Sequence, residues 1–212
     1  ASERNPDGSR TAAPKTAGTG AGIVTERELL VDCLQRLNRV GIPYMLTGSM
    51  VSNYWVIPRT THDLDFVIQL PDRFIKPLLE AFSKDFVLDE DAIRQAFRGT
   101  YLFNAIDTRS ALKVDFWLLQ PKPFERVMFD RKLQVSLFGE QAWICTAEDV
   151  VLHKLYWNSV SPSDRQMGDC AGVCAVQAGR LDSDYLRRWA QEMGLATALD
   201  NLLSGKTRPK NT

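Results

Sequence analysis

From Thr25 onward the apolar residues Leu29, Leu30, Cys33, Leu34 and Leu37 fall at helical spacing on one face. Thr25 and Glu28 stand ahead of them as a capping-box pair, and Gly41 and Pro43 close the run, so a first helix is expected there. The pattern then shortens. Tyr44 to Thr47 reads as a strand, Gly48-Ser49 as a tight turn, and Met50 to Val56 as a helix stopped by Pro58. A second strand covers Leu64 to Leu70, with Asp63 at its mouth. Asp72 caps an expected helix through Phe74, Leu78, Leu79 and Phe82, and another covers Asp89 to Phe97. Strands follow at Gly99 to Ile106, Ala111 to Leu119, Leu133 to Phe138 and Ala142 to Cys145.

At Thr146 the periodicity becomes helical throughout. Thr146 and Asp149 form a cap pair ahead of Val150, Val151, Leu155 and Tyr156, and three more helices are expected at about 164–178, 182–193 and 196–203. The expected class is α+β: a mixed α/β unit over residues 23–145, then a helical C-terminal lobe over 146–205, with no internal repeat. Residues 1–22, rich in Ala, Ser, Thr, Gly and Pro without apolar periodicity, are expected to be a disordered tail, as are residues 206–212.

Composition narrows the function classes. The 212 residues suffice for one sizeable core with an extension, and 44% apolar with 25% charged residues is ordinary for a folded globular chain. Lys plus Arg equals Asp plus Glu at 26 each, so no overall basic field points to nucleic acid, although a local basic groove remains open. No apolar run approaches the roughly 18 to 20 residues of a membrane helix. The N-terminal stretch lacks the apolar core of a secretory signal, so the cytoplasm is the expected compartment, with no membrane partner. Cys33, Cys145, Cys170 and Cys174 show no paired CxxC spacing, which argues against a disulfide framework or a zinc knuckle.

The candidate chemistry lies in the acids. In Asp63-Leu64-Asp65-Phe66 two carboxylates two residues apart project to one side of a strand while Leu64 and Phe66 enter the other. Leu112, Val114, Phe116 and Leu118 likewise form an apolar row that leaves Lys113, Asp115 and Trp117 opposite, so Asp115 joins the pair if the strands are neighbours. Three crowded carboxylates repel unless one takes up a proton or a cation neutralises them. Oxygen ligands suit magnesium, one ion or two, with manganese as a substitute. Two ions would polarise an α-phosphorus, activate a hydroxyl and stabilise leaving pyrophosphate. Taken alone, an Asp-x-Asp at a strand edge is more often a turn or cap feature, and it is the Gly48-Ser49 turn, opening a helix where backbone N–H groups can approach a phosphate, that favours the metal reading. Trp55, Trp117 and Trp143 are candidates for stacking on a base, against the commoner role of core packing.

Thr47-Gly48-Ser49, then Arg59-Thr60-Thr61-His62-Asp63-Leu64-Asp65, then an isolated Asp115 between apolar residues resembles the DNA polymerase β-like nucleotidyltransferase superfamily. The Arg-x-Thr-x-Asp-x-Asp form is most similar to bacterial AbiEii-type and MNT-like toxin–antitoxin nucleotidyltransferases, over about residues 25–200. The gap from Ser49 to Asp63 is longer than in minimal transferases, and His62 stands where a small residue is common. The resemblance implies a nucleotidyltransferase-fold mixed sheet flanked by helices. It also implies magnesium-dependent transfer of an NMP from an NTP to a hydroxyl of RNA, protein or a small molecule, in a toxin–antitoxin or phage-defence setting with a cognate toxin or antitoxin. The alternative is a non-catalytic antitoxin or adaptor of the same fold. Asp63, Asp65 and Asp115 would hold metal and carry catalysis, Gly48 and Ser49 would grip phosphate, Lys154 would touch nucleotide phosphate, and Asp169 would orient that lysine or the acceptor. Lys154 and Asp169 read equally as an ordinary exposed ion pair. Arg59 could fork onto the triphosphate or pair with an acid to hold its loop.

Overall fold

The computed structural model describes residues 24–56 and 63–206, so Arg59, His62 and nearly all of the two expected tails lie outside the described residues. Helix α1 (Glu26–Val40) opens on the expected capping box: the Thr25 hydroxyl accepts from Glu28 N–H and the Glu28 carboxylate accepts from Thr25 N–H at 2.8 Å. Gly41, at φ 73°, ends the helix in a conformation that a side chain would strain. Strand β1 (Tyr44–Thr47) leads straight into helix α2 (Gly48–Trp55), and β2 (Leu64–Ile68) follows. A 3₁₀ turn at Asp72–Phe74 precedes α3 (Ile75–Phe82); Asp72 therefore starts a turn, and its side chain caps no helix.

Strand β3 (Phe86–Val87) is two residues long, too short for alternation to reveal. Helix α4 (Glu90–Gln95) runs into a π-turn at Ala96–Thr100, and Tyr101 at φ 53° reverses the chain, so β4 (Leu102–Asp107) begins later than the sequence pattern suggests. Strand β5 (Lys113–Leu118) comes next, and then α5 (Pro123–Asp130), a helix the sequence reading missed, with Pro123 in its first turn. Strands β6 (Leu133–Leu137) and β7 (Glu140–Ile144) form a hairpin. Helices α6 (Ala147–Val160), α7 (Asp164–Val176), α8 (Ser183–Glu192) and α9 (Ala196–Leu203) complete the described chain, close to the expected spans.

The strands form one mixed sheet in the order β3-β4-β5-β2-β1-β7-β6. β2 lies antiparallel to β1 and parallel to β5, while β1 lies parallel to β7. Period-two alternation gives the sheet two unlike faces. On one, Phe66, Phe116 and Phe103 stack across adjacent strands with centroids 5.7 and 5.3 Å apart, and Phe82 of α3 meets Phe116 edge-on at 5.6 Å. The other carries Asp65 and Asp115, with α2 and α6 packed against each other. A single apolar cluster runs from the sheet into α8 and α9, through Leu186, Trp189, Leu199 and Leu202.

Polar bonds tie α1 to the far sheet edge. Arg36 pairs with Asp32 at 2.8 Å, with Asp85 beside β3, and donates to the Ala81 carbonyl. Arg109 pairs with Asp32 at 2.7 Å and with the fully buried Asp107 at 2.6 Å. Removing the central guanidinium leaves partly buried carboxylates facing one another. Arg36→Met should therefore destabilise the protein by about 3 kcal/mol, read as a lowered midpoint in urea denaturation with an unchanged slope.

Candidate active site

Register brings four polar side chains into one row. Thr47 of β1 lies opposite Asp65 of β2, Asp65 opposite Asp115 of β5, and Asp115 opposite Asn104 of β4. Residues directly opposite one another in a sheet project to the same face, so the two acids stand side by side. Asp63, two residues before Asp65, sits exposed at the mouth of the strand on that same side. The Asn104 amide and the Lys113 ammonium, the latter at 3.0 Å, both hold the Asp115 carboxylate.

Asp65 sits deepest. Trp117 Nε1 lies 3.4 Å from its Oδ1, and Gly48 stands against its other oxygen: a Cβ on Gly48 would come within 2.2 Å of Oδ2. Gly48 is also at φ +69°, so conformation and close approach both demand glycine here. Burial first, then the Asp115 charge and more weakly Asp63, push the Asp65 carboxyl up to about 6, opposed by the Trp117 bond and Lys154. The three acids thus share one electrostatic field.

The C-terminal helices supply the opposite charge. Lys154 of α6 pairs with Asp169 of α7 at 2.8 Å, with side chains only 8% and 7% exposed, so this is a buried pair and the exposed alternative is excluded. Three residues on, Trp157 packs on Trp117 with centroids 5.7 Å apart and planes inclined at 53°. Its Nε1 donates to His153 Nε2 at 3.0 Å. Burial, then the neighbouring Lys154 charge, hold that imidazole down at about 4, so it is neutral and able to accept.

Of the sequence candidates, the structure brings Gly48 against Asp65 and Asp65 beside Asp115, with Asp63 at the rim, Ser49 next to Gly48 at the start of α2, and Lys154, paired with Asp169, bearing on Asp65. Among the described residues no group of three or more His, Cys, Asp or Glu side chains is gathered closely enough to hold a metal ion as it stands. The donor chemistry still suits a hard cation. Asp65 and Asp115 are paired carboxylates in register and Asp63 is exposed beside them; the raised Asp65 pKa comes first from burial and only then from the Asp115 charge. Trp55 and Trp143 pack against the apolar core, and the Trp55 N–H is used by the Cys145 carbonyl at 3.1 Å. The sequence reading missed Asn104, which only the β4–β5 register reveals, and Trp157, whose spacing from Lys154 on a helix was a legible signal.

This is the nucleotidyltransferase fold. The chain matches the solution structure of the antibiotic-resistance factor ANT(2'')-Ia with a TM-score of 0.54, at 11% identity, covering 84% of this chain and 98% of that one. It matches an antigenic nucleotidyltransferase-like protein from Paracoccidioides brasiliensis with a TM-score of 0.55, at 17% identity, over 84% of this chain and 92% of that one. A crystal structure of ANT(2'')-Ia in complex with adenylyl-2''-tobramycin aligns with a TM-score of 0.51, at 11% identity, over 84% and 97% of the respective chains. No family model and no curated protein matches the sequence. At these identities the likeness establishes the architecture.

Two substitutions test the site. Asp65 has a folded pKa near 6 against an ordinary 3.8, so its contribution to stability is fully present below about pH 4 and is lost as pH rises through 6. In EDTA, Asp65→Asn should consequently be more stable than the wild type at pH 7.5, by roughly 1–3 kcal/mol, with the gain shrinking toward pH 4. A lower melting temperature for the variant at pH 7.5 would identify Asp65 as a structural partner instead. Gly48→Ala should lose roughly 1–3 kcal/mol through its positive φ and its clash with Asp65, read by thermal melts at pH 7.5.

Proposed function

We propose that the protein is a magnesium-dependent nucleotidyltransferase that moves an NMP from an NTP to a hydroxyl acceptor and releases pyrophosphate. The observation that carries this reading is the in-register pair Asp65 and Asp115 beside a glycine turn that admits no Cβ. Asp63, Asp65 and Asp115 would hold the metal, which when bound supplies charge neutralisation and polarises the phosphate. Gly48 and Ser49 present the first-turn N–H groups of α2 to the triphosphate. Lys154 offsets phosphate charge, and Asp169 fixes where its ammonium points. Asp115, held by Asn104 and Lys113, would take the acceptor hydroxyl proton.

The acceptor is RNA, protein or a small molecule; a structural neighbour was solved in complex with adenylyl-2''-tobramycin, which supports the small-molecule class. A toxin–antitoxin or phage-defence setting, with a cognate partner, completes the proposal and rests on the sequence resemblance.

Incubation with each α-labelled NTP, magnesium or manganese, and total RNA or cell lysate should transfer label. Asp115→Asn should lower transfer by at least about 100-fold while keeping the far-UV spectrum of the wild type. Calorimetry should show NTP binding that strengthens with magnesium, because a triphosphate adds negative charge to an acidic site. Equal affinity in EDTA, with no label transfer by the wild type, would leave the adaptor reading in its place.

A further inference from the structure

We propose that Trp117 and Trp157 form a stacking shelf for a nucleobase beside the acid pair. The proposal rests on the nucleotidyl-transfer reading and adds a ligand subsite to it.

Both indole N–H groups are already committed. Trp117 gives its proton to Asp65 and Trp157 gives its own to His153, so each ring has only π surface left to offer, and Trp117, which also packs against the apolar core, serves as the backing for Trp157. Trp157 is half-buried, and among the described residues it lies outside the apolar cluster that forms the core; its ring contacts there are Trp117, Tyr156 and His153. A large indole fixed by a hydrogen bond at one edge, and not spent on core packing, is a preorganised surface rather than a filler.

Position decides what it faces. Trp117 follows Asp115 by two residues on the same face of β5, and its ring edge touches the carboxylate of Asp65. Trp157 follows Lys154 by three residues on α6, which puts both on neighbouring positions of one helix face. An anionic phosphate drawn to the Lys154 and α2 side therefore has a flat aromatic surface next to it. A ligand with phosphate at one end and a planar heteroaromatic ring at the other matches that pairing of charge and π surface. The ring belongs either to the donor NTP or to the terminal nucleotide of an acceptor strand, and the shared chemistry is the nucleobase.

The test titrates wild type, Trp157→Leu and Trp157→Phe with each of the four NTPs, with inorganic tripolyphosphate, and with a trinucleotide lacking a triphosphate, all in magnesium. Calorimetry reads affinity. Indole N–H resonances in the NMR spectrum, assigned from the Phe variant, read ring contact in the wild type even where the Leu variant does not fold. For a donor base, at least one NTP should bind more tightly than tripolyphosphate and shift the Trp157 resonance. Trp157→Leu should then weaken that NTP about 10-fold, Trp157→Phe should weaken it less, and tripolyphosphate affinity should not change. If the NTPs match tripolyphosphate but the trinucleotide shifts Trp157 and is weakened by Trp157→Leu, the shelf holds the acceptor base, which also supports the proposal. If NTPs bind and label is transferred, but neither nucleotide class moves the Trp157 resonance and affinities in the variants stay within twofold of wild type, the shelf is overturned and the transfer reading stands. If neither the NTPs nor tripolyphosphate nor the trinucleotide binds the wild type, both are overturned.

Discussion

The parallel pairing of β2 with β5, which sets Asp65 directly against Asp115, is the constraint on which the rest of the site depends. Side by side on one face of a sheet, two carboxylates are an unfavourable cross-strand pair. The pairing survives because the opposite face of the same strands carries Phe66 and Phe116, which stack on each other and on Phe103. Apolar burial on one face holds a register that electrostatics on the other would break. A slip of one residue would exchange the two sets, placing acids among the phenyl rings' core neighbours and phenyl rings on the face that carries the acid pair.

Around that pair, each remaining side chain answers a local physical demand. The Gly48 turn leaves room for the Asp65 carboxylate where any side chain would collide with it. Asn104 and Lys113 satisfy Asp115, and Trp117 satisfies one oxygen of Asp65. Each of these partners donates to a carboxylate oxygen. The edge of the sheet is secured elsewhere, by the Arg36 and Arg109 network linking α1 to the β3 and β4 margin, so the central strands can bear a strained charge arrangement without separating.

Much of this was legible in the chain. Period-two alternation around Asp65 and Asp115 correctly assigned which side chains share a face, and the helical run after Thr146 was read close to its observed spans. What single-sequence patterning could not supply was pairing. Asn104 is one polar residue in an alternating strand until β4 is laid antiparallel to β5, and only then is it Asp115's partner. Lys154 and Asp169 were readable as two charges on two helices, yet their burial depends on how α6 packs on α7. The two-residue β3 escaped because it is too short for periodicity to show, whereas α5 was overlooked although Phe124 and Met128 fall at helical spacing behind Pro123.

The charge balance of the assembled site explains why the helical segment is needed as more than a cover. Among the described residues, the charges of Asp115, Asp63 and Lys154 act on Asp65, Lys113 pairs with Asp115, and Asp169 pairs with Lys154. Because Asp169 already compensates Lys154 in a largely buried pair, that lysine can stand near Asp65 without its charge being exhausted there, and its orientation is set by α7 rather than by the acids. The excess of negative charge left on the sheet face is unfavourable for an incoming triphosphate and favourable for a divalent cation. Under the proposed function, a cation and a phosphate together would relieve what each alone would leave unbalanced, so acids that oppose a nucleotide by itself would favour a nucleotide bound with a metal.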